Sequence, residues 1–126
     1  MRFAPKEPVQ LDPPKDTPIT LAELSLKDGI KSEQLWVGIK GDVFDVTRNS
    51  KAYGPGTNYH VFCGKDASKA LGKSSLEEED FAPSGQVISW QELTADLSEK
   101  DLKTLEEWYS YFSQRYNIVG KIDLSN

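Results

Sequence analysis

The chain has 126 residues, of which 37% are hydrophobic, and a formal net charge of −5. This length predicts one domain with a modest core. The acidic balance argues against broad binding to nucleic acids or anionic membranes, which needs clustered Lys and Arg. One cysteine and one histidine exclude an internal disulfide and a structural zinc site with four N or S ligands. No apolar run approaches the roughly 20 residues of a membrane span, and the N-terminus lacks the hydrophobic region of a secretory signal, so we expect a cytoplasmic protein.

Residues 1–18 are predicted to form a proline-rich arm, and residues 19–126 to form the folded domain. The prolines of the arm are Pro5, Pro8, Pro13, Pro14 and Pro18. Proline favours extended backbone and removes a hydrogen-bond donor. We interpret the arm either as a tail, loose or laid over the domain, or as a docking segment for a partner.

The domain is predicted to begin with a short strand at Ile19 and a short helix. Thr20 is the expected N-cap, with Glu23 completing a capping box, and Gly29 is the expected stop. The apolar face of this helix comprises Leu21, Leu24 and Leu26. The segment "LWVGIKGDVFDVT" then alternates apolar and other residues on either side of a glycine-containing turn at Gly41–Asp42, which predicts a β-hairpin.

From Tyr53 to Leu71 the pattern is helical but interrupted by glycine. The segment "GTNYHVFCG" predicts about two helical turns between Gly56 and Gly64. The segment "KDASKALGK" predicts another short helix, with Asp66 near its start and Gly72 after its end. Short helices of this kind usually cover a sheet or form the wall of a pocket.

The remaining third of the chain contains the longest helical pattern. "SSLEEEDFA" is consistent with a helical turn, and "PSGQVISWQEL" is interpreted as an inserted loop. Ser98 is predicted to cap an amphipathic helix, and "NIVGKIDL" to form the last strand. The apolar face of that helix comprises Leu102, Leu105, Trp108 or Tyr109, and Phe112. These elements predict a small α+β domain with a mixed sheet and helices segregated to one side.

His60 and Cys63 are the first candidates for a chemical role, because they lie three positions apart and could meet on a helix face. A nucleophilic cysteine needs a base and an orienting group, and no recognisable context for such a site surrounds this pair. His60 is therefore interpreted as a partly exposed polar residue, with metal ligation left open.

Tyr53 and Tyr59 are the second candidates, since they flank the Gly54-Pro55-Gly56 turn that could direct both phenols into one space. Phenolate is a hard ligand suited to Fe(III), and tyrosinate is a known haem ligand. Its ordinary pKa near 10 must be lowered by the metal and a neighbouring donor such as a second phenol. Residue types alone favour ordinary aromatic packing for both tyrosines, because tyrosine is common in cores and interfaces.

Three segments in the same order closely resemble the membrane-associated progesterone receptor family, whose members are cytochrome b5-like haem/steroid-binding domains. They are "WVGIKGDVFDVT", "AYGPGTNYHVFCGKDASKAL" and "LEEWYSYFSQRYNIVGKI". The resemblance runs from about Ile19 to Ile122, and soluble fungal-type members look most similar. It implies a cytochrome b5-like fold whose short helices form the wall of a haem pocket. The His-Pro-Gly-Gly loop of true cytochrome b5 is absent, as is usual in this family.

The resemblance also implies roles for individual residues. Tyr59 falls on the position that holds the iron of a five-coordinate haem b, and Tyr53 on the position that hydrogen-bonds the ligand phenol. Arg115 and Tyr116 fall on a pair expected near the haem edge and a propionate. The chain departs from the family pattern at Ala52, where an aromatic residue is frequent, at the polar residues beside Tyr59, and in the longer segment 81–97.

By this resemblance we expect a non-catalytic haem-binding protein that delivers haem or supports a cytochrome P450 in sterol metabolism, with peripheral location at the endoplasmic reticulum. Steroid binding and a haem-dependent homodimer are further expectations of the resemblance. Two alternatives remain open. One is a haem-free interaction or steroid-binding module, and the other is an electron-transfer protein in which His60 ligates the iron.

Overall fold

The computed structural model describes residues 11–82 and 86–125. Its strands are β1 (Pro18–Thr20), β2 (Trp36–Ile39), β3 (Asp42–Asp45) and β4 (Asn117–Asp123). Its α-helices are α1 (Leu21–Ser25), α2 (Ser50–Tyr53), α3 (Ser68–Gly72), α4 (Trp90–Leu93) and α5 (Glu99–Ser113). Single 3₁₀ turns occupy Thr47–Asn49, His60–Phe62 and Glu78–Asp80. Within the described ranges, no helix has the length and apolar character needed to cross a membrane.

The four strands form one mixed sheet in the order β1-β4-β3-β2. β1 runs parallel to β4, whereas the β2–β3 and β3–β4 pairs are antiparallel. The predicted hairpin is confirmed, but its turn lies at Lys40–Gly41, one residue earlier than expected. Both residues have positive φ, 52° and 85°, which suits the tight turn that matches strand twist. Asp42 therefore belongs to β3 and pairs with Ile39.

The first helix begins as predicted and ends earlier. Thr20 Oγ1 accepts the Glu23 backbone N–H at 3.1 Å, and the Glu23 carboxylate returns to the Thr20 backbone, so the capping box is present. Leu24 is fully buried, but α1 ends at Ser25 and leaves Leu26 about half exposed. The predicted place of Leu26 on the apolar face is therefore wrong, because the chain has already left the helix there.

The glycine-rich region forms less helix than expected. In place of two helical turns between Gly56 and Gly64, there is a single 3₁₀ turn, His60–Phe62. Both glycines have positive φ, so the backbone leaves the helical region at each end of this segment. α3 forms as predicted, with the Asp66 carboxylate accepting the Ser68 backbone N–H at 3.0 Å, although Gly72 is its last residue and does not follow it.

The segment interpreted as an inserted loop is partly helical. Pro83–Gly85 lies outside the described residues, and the helical turn α4 follows, capped by the Ser89 hydroxyl. α5 begins as predicted, with Ser98 Oγ accepting the Asp101 backbone N–H at 3.1 Å. Leu105 and Phe112 are buried in the core against the sheet, whereas Leu102 is 39% exposed and does not belong to the buried face.

Part of the proline-rich arm lies beside the sheet. The Lys15 backbone N–H donates to the Ile118 carbonyl at 3.0 Å, and the Lys121 N–H donates to the Thr17 carbonyl at 2.9 Å. The arm thus continues β1 along the edge of β4. The α+β class and the mixed sheet predicted from the sequence are both confirmed.

Candidate functional site

The loop after α2 folds back so that Tyr59 returns to the end of the helix that carries Tyr53. The Thr57 hydroxyl oxygen lies 2.7 Å from the Ala52 carbonyl oxygen and 2.6 Å from the Gly54 carbonyl oxygen, so its single proton can be donated to either acceptor. The Tyr59 backbone N–H also donates to the Ala52 carbonyl, at 3.2 Å. These bonds close the loop over Gly56, whose φ of +84° is easily adopted by glycine. Thr57 was not singled out from the sequence, although a hydroxyl beside a Gly-Pro-Gly turn is a signal for this type of closure.

The two phenols come together in different environments. Their ring centroids are 6.0 Å apart. Tyr53 is 5% exposed and Tyr59 is 45% exposed. Burial, reinforced by the nearby phenols, raises the pKa of Tyr53 well above its usual value. Tyr53 therefore keeps its O–H proton and can act as a hydrogen-bond donor. In the described part of the chain, the Tyr59 phenol makes no hydrogen bond to protein.

Both tyrosines line a cavity of about 520 Å³, which lies within the range of roughly 300–1,000 Å³ typical of small-molecule sites. Most of its wall is aromatic or aliphatic, and its polar side chains carry no formal charge. The lining residues are Asn49, Ala52, Tyr53, Tyr59, Phe62, Ala70, Leu71, Ser74, Ser75, Leu76, Trp108 and Tyr111. Such a surface suits a flat, largely apolar ligand.

Among the lining side chains that the sequence reasoning missed, five come from distant segments: Ser74, Ser75, Leu76, Trp108 and Tyr111. Trp108 and Tyr111 project from α5 three residues apart, with ring centroids 5.4 Å apart, so helical spacing could have paired them. Ser74 and Leu76 belong to the loop after α3. No local pattern in the sequence indicates that this loop reaches the cavity.

Tyr116 lies behind Tyr53 and is not among the residues that line the cavity. Its ring centroid is 6.2 Å from that of Tyr53, and its hydroxyl accepts the Asn49 Nδ2–H at 2.9 Å. Burial raises the pKa of Tyr116. Asn49 also lines the cavity, so it links the cavity wall to this buried phenol. A role for Tyr116 at a propionate stays a prediction.

Arg115 lies next to the cavity because its guanidinium stacks on Tyr111, which forms part of the cavity wall. Its guanidinium carbon is 3.8 Å from the centroid of the Tyr111 ring, and Nη1 donates to the Tyr111 carbonyl at 3.4 Å. This stacking holds a positive charge beside a residue of the cavity wall. The predicted contact of Arg115 with a propionate is compatible with that position and stays a prediction.

His60 and Cys63 make contacts elsewhere. The His60 Nε2 faces the Asp28 carbonyl at 2.6 Å, and because a carbonyl only accepts, Nε2 must carry the proton. The Cys63 thiol is buried and donates to the Tyr53 carbonyl at 3.3 Å. Burial raises the pKa of Cys63 to about 12, which removes the thiolate needed for nucleophilic attack. Neither residue lines the cavity.

A larger groove of about 750 Å³ lies near Phe81 and has a different character. Phe81 packs against Phe62, with ring centroids 6.1 Å apart, so these two rings separate the groove from the cavity. The groove is bordered by Asp28, Lys31, Lys65, Asp66, Glu78 and Glu79. This charged border makes the smaller phenol-lined cavity the better candidate for an apolar cofactor.

The fold and this cavity define a small α+β ligand-binding domain, and comparisons with known proteins identify its family. The family model of the cytochrome b5-like haem/steroid binding domain matches residues 20–122. A solved structure from Arabidopsis thaliana, described as having a cytochrome b5 like fold, superimposes with a TM-score of 0.67 at 42% identity, covering 83% of this chain and 89% of that chain. The cytochrome b5-like fold is therefore confirmed.

Curated relatives share most of the domain. "Probable steroid-binding protein 3" of Arabidopsis thaliana is 42% identical over 82% of this chain and 95% of its own length. "Cytochrome P450 regulator dap1" of Schizosaccharomyces pombe is 36% identical over 95% of this chain and 69% of its own. "Membrane-associated progesterone receptor component 2" of Rattus norvegicus is 31% identical over 86% of this chain and 47% of its own. The chain belongs to the cytochrome b5-like haem/steroid-binding domain family, among the membrane-associated progesterone receptor proteins.

The residues of the cavity fit the haem that this family implies. Haem needs apolar walls for the macrocycle, a ligand for the iron and positive or donor groups for its propionates. The cavity has aromatic and aliphatic walls, the exposed phenol of Tyr59, and Arg115 stacked on the adjacent Tyr111 ring. Within the described residues, the Tyr59 hydroxyl makes no hydrogen bond, and the neutral Tyr53 lies beside it, so Tyr59 could supply an oxygen ligand.

Proposed function

We propose that this chain is a non-catalytic haem-binding protein in which the phenolate of Tyr59 ligates ferric haem b. The observation that carries the proposal is the pair of phenols on one cavity wall, one buried and neutral, the other exposed and with a hydroxyl that makes no hydrogen bond to the described residues. Bound haem supplies a high-spin ferric centre whose low reduction potential disfavours cytochrome b5-type electron transfer.

Each protein group has a distinct part in this proposal. Tyr59 provides the anionic oxygen, and Tyr53 donates a hydrogen bond that stabilises the phenolate, which it can do because burial keeps it protonated. The aromatic and aliphatic wall would pack against the macrocycle. Arg115 and Tyr116 remain our proposed partners for the haem edge and a propionate.

The decisive experiment is a titration with haemin at micromolar concentration. The wild-type protein is expected to give a high-spin ferric tyrosinate spectrum, which Tyr59→Phe abolishes and His60→Ala largely retains. No binding by the wild type would contradict the proposal and favour the haem-free module. A low-spin spectrum that disappears in His60→Ala would instead favour electron transfer. The hydrogen bond from His60 Nε2 to the Asp28 carbonyl counts against that last outcome.

The same titration tests the order of importance of the two phenols. Tyr53→Phe removes a hydrogen bond of about 1–3 kcal/mol and leaves the iron ligand in place. Haemin affinity is therefore expected to fall by about 5- to 150-fold, less than in Tyr59→Phe. Equal losses in the two variants would contradict the assigned roles.

The physiological role we propose is support of a cytochrome P450 in sterol metabolism or delivery of haem, at the cytoplasmic side of the endoplasmic reticulum. The name of the fission yeast relative, a cytochrome P450 regulator, supports the first role. Tyr59 and Leu76 at the cavity are 45% and 47% exposed. An exposed apolar edge of this kind supports the further proposal that two haem-loaded copies pair across this face.

Steroid binding is the second candidate function. It is favoured by the uncharged polar groups Asn49, Ser74 and Ser75 on an otherwise apolar wall, which suit a flat neutral molecule, and by the names of the plant and rat relatives. Progesterone is expected to compete with haemin if both use this cavity. Binding of progesterone that is unchanged in Tyr59→Phe and in the presence of haemin would place the steroid elsewhere.

A further inference from the structure

The loop that follows α3 combines an exposed serine, an acidic segment and one wall of the cavity. Ser74 is exposed, and Ser74, Ser75 and Leu76 all line the cavity. The next three residues along the chain, Glu77–Glu79, are exposed carboxylates. A change of charge at Ser74 would therefore act at the cavity and next to an already negative segment.

Ser74 differs from the other serines that precede an acidic residue by three positions. These are Ser25, Ser75, Ser89 and Ser98. The Ser25 hydroxyl donates to the Ala22 carbonyl, and those of Ser89 and Ser98 accept helix N–H groups as N-caps. The Ser75 hydroxyl accepts the Glu77 N–H at 3.0 Å and also lowers the pKa of Asp80 by hydrogen bonding.

Within residues 11–82 and 86–125, the Ser74 hydroxyl makes no hydrogen bond, so it is the one of these five that is both exposed and unengaged. Carboxylates follow it at the third, fourth and fifth positions. Kinases with basic substrate clefts select serines in this context through charge complementarity. Lys73 precedes Ser74, but its ammonium is paired with the Asp80 carboxylate at 3.1 Å.

We propose that Ser74 is a phosphorylation site for an acidophilic serine kinase, and that phosphate at Ser74 disfavours anionic ligands in the adjacent cavity. In the reaction the Ser74 oxygen forms a bond to the γ-phosphorus of ATP as the bond to the leaving ADP oxygen breaks. The hydroxyl proton passes to the base of the kinase. The products are ADP and phosphoserine.

The expected effect follows from the charge that phosphate adds. A phosphoserine carries a charge of about −1.5 to −2 at neutral pH. The residues that follow Ser74 up to Glu79 include no cation that could pair with it, and Lys73 is already paired with Asp80. Haem carries carboxylates, so its binding is opposed by this charge. We expect phosphorylation to weaken haemin binding by about ten-fold at low salt, and less at high salt, because the repulsion is screened.

The first test maps the phosphate. The whole chain is incubated with MgATP and purified casein kinase 2, used as an acidophilic probe, and the products are mapped by mass spectrometry. Phosphate is expected at residue 74 in the wild type and to be missing in Ser74→Ala. Ser98 serves as the matched control, since Asp101 stands three positions after it but its hydroxyl caps α5. Modification of Ser98 in preference to Ser74 would overturn the assignment.

The second test measures ligand binding and rests on the proposed haem function. Haemin is titrated into unmodified protein, protein phosphorylated at Ser74, Ser74→Asp and Ser74→Ala, at low and high salt. Affinity is expected to fall with phosphate and to fall less with Asp, in both cases more at low salt than at high salt, whereas any change with Ala is expected to be independent of salt because it adds no charge. Equal affinity in all four forms would overturn control of the cavity. Failure of the unmodified protein to bind haemin would instead contradict the proposed function and the control that rests on it, leaving the mapping result unaffected.

Discussion

The structure excludes a role for Cys63 as a reactive nucleophile. Its thiol is 3% exposed, donates to the Tyr53 carbonyl and has a pKa raised by burial to about 12. A cysteine in this state behaves as a small apolar side chain. Packing near the phenols, and not reactivity, is therefore its role.

This gives a prediction for thiol reactivity. In the native protein, Cys63 is expected to react with a disulfide reagent at pH 8 at least about 100-fold more slowly than a free thiol, because little thiolate forms and access is blocked. The rate is measured by absorbance in buffer and in 6 M urea. Rapid reaction without denaturant would contradict the buried position of Cys63.

Asp66 carries a prediction about pH. Burial raises its pKa, so the folded protein binds this proton more tightly than the unfolded chain, and the free energy of unfolding falls as the pH rises above about 4. Asp66→Asn removes that dependence. The stability of Asp66→Asn relative to wild type is therefore expected to increase between pH 4 and pH 7, measured by urea unfolding.

Asp80→Asn is the matched control, because bonds from Ser75 and Lys73 lower the pKa of Asp80. The folded form of Asp80 loses its proton more readily, so its contribution to stability is present at pH 7 and lost as the pH falls below about 4. The relative stability of Asp80→Asn is therefore expected to decrease as the pH rises through the acid range toward about 4, and to change little between pH 4 and pH 7. The same direction of change in both variants would contradict these two assignments.

At the scale of elements, α5 positions two residues of the cavity wall, Trp108 and Tyr111, and the buried core residues between the sheet and the helices. Its start is fixed by Ser98, whose hydroxyl accepts the Asp101 N–H. Because the helix begins at a fixed residue, the directions in which Trp108 and Tyr111 leave its axis are fixed as well. Loss of the cap would weaken the element that carries one side of the cavity.

Ser98→Ala is expected to lower the free energy of unfolding by about 1 kcal/mol, the usual contribution of an N-cap hydroxyl. Ser98→Asp keeps an acceptor at the same position and is expected to retain most of the stability. Urea unfolding of the three proteins measures both effects. An Asp variant as unstable as the Ala variant would show that the hydroxyl has another role.

The elements also show where sequence reasoning succeeds. Local signals are reliable where one residue decides the outcome, as with Thr20 and Ser98 as caps, whereas the hairpin is predicted but its turn lies one residue earlier than expected. Periodicity fails at helix ends. Leu26 and Leu102 continue an apolar pattern but are exposed, because α1 has ended at the first and the second lies on the early, outward side of α5.

The cavity could be predicted only in part for a related reason. Tyr53 and Tyr59 lie in one continuous segment, so the turn between them indicates their convergence. The opposite wall is formed by Trp108, Tyr111 and Leu76, from segments that are distant along the chain. Whether these residues reach the cavity depends on how α5 and the loop after α3 pack on the sheet, and no local sequence pattern indicates that packing.

At the scale of the molecule, the described part of the arm is held to the sheet by close packing at Gly120. A Cβ atom at this position would contact the Thr17 carbonyl oxygen and the Ile19 side chain. The arm can approach β4 this closely because residue 120 has no side chain. Gly120 therefore couples the arm to the central pair of strands.

Gly120→Ala is expected to push the arm away from β4 and to lower the free energy of unfolding by about 1–3 kcal/mol. Hydrogen exchange provides the specific readout, since the Lys121 N–H donates to the Thr17 carbonyl. Its protection is expected to fall more than that of the β2–β3 amides. Uniform loss of protection over the whole sheet would contradict local release of the arm.

The position of the arm has a consequence for self-association. β1 is the outermost strand on its side of the sheet, and an exposed outer strand can recruit strands from other molecules. Pro13, Pro14 and Pro18 lie in or just before this strand and have no N–H to offer an incoming chain. Pro13, Pro14 and Pro18 thus disfavour intermolecular β-pairing along this edge of the sheet, independently of any ligand.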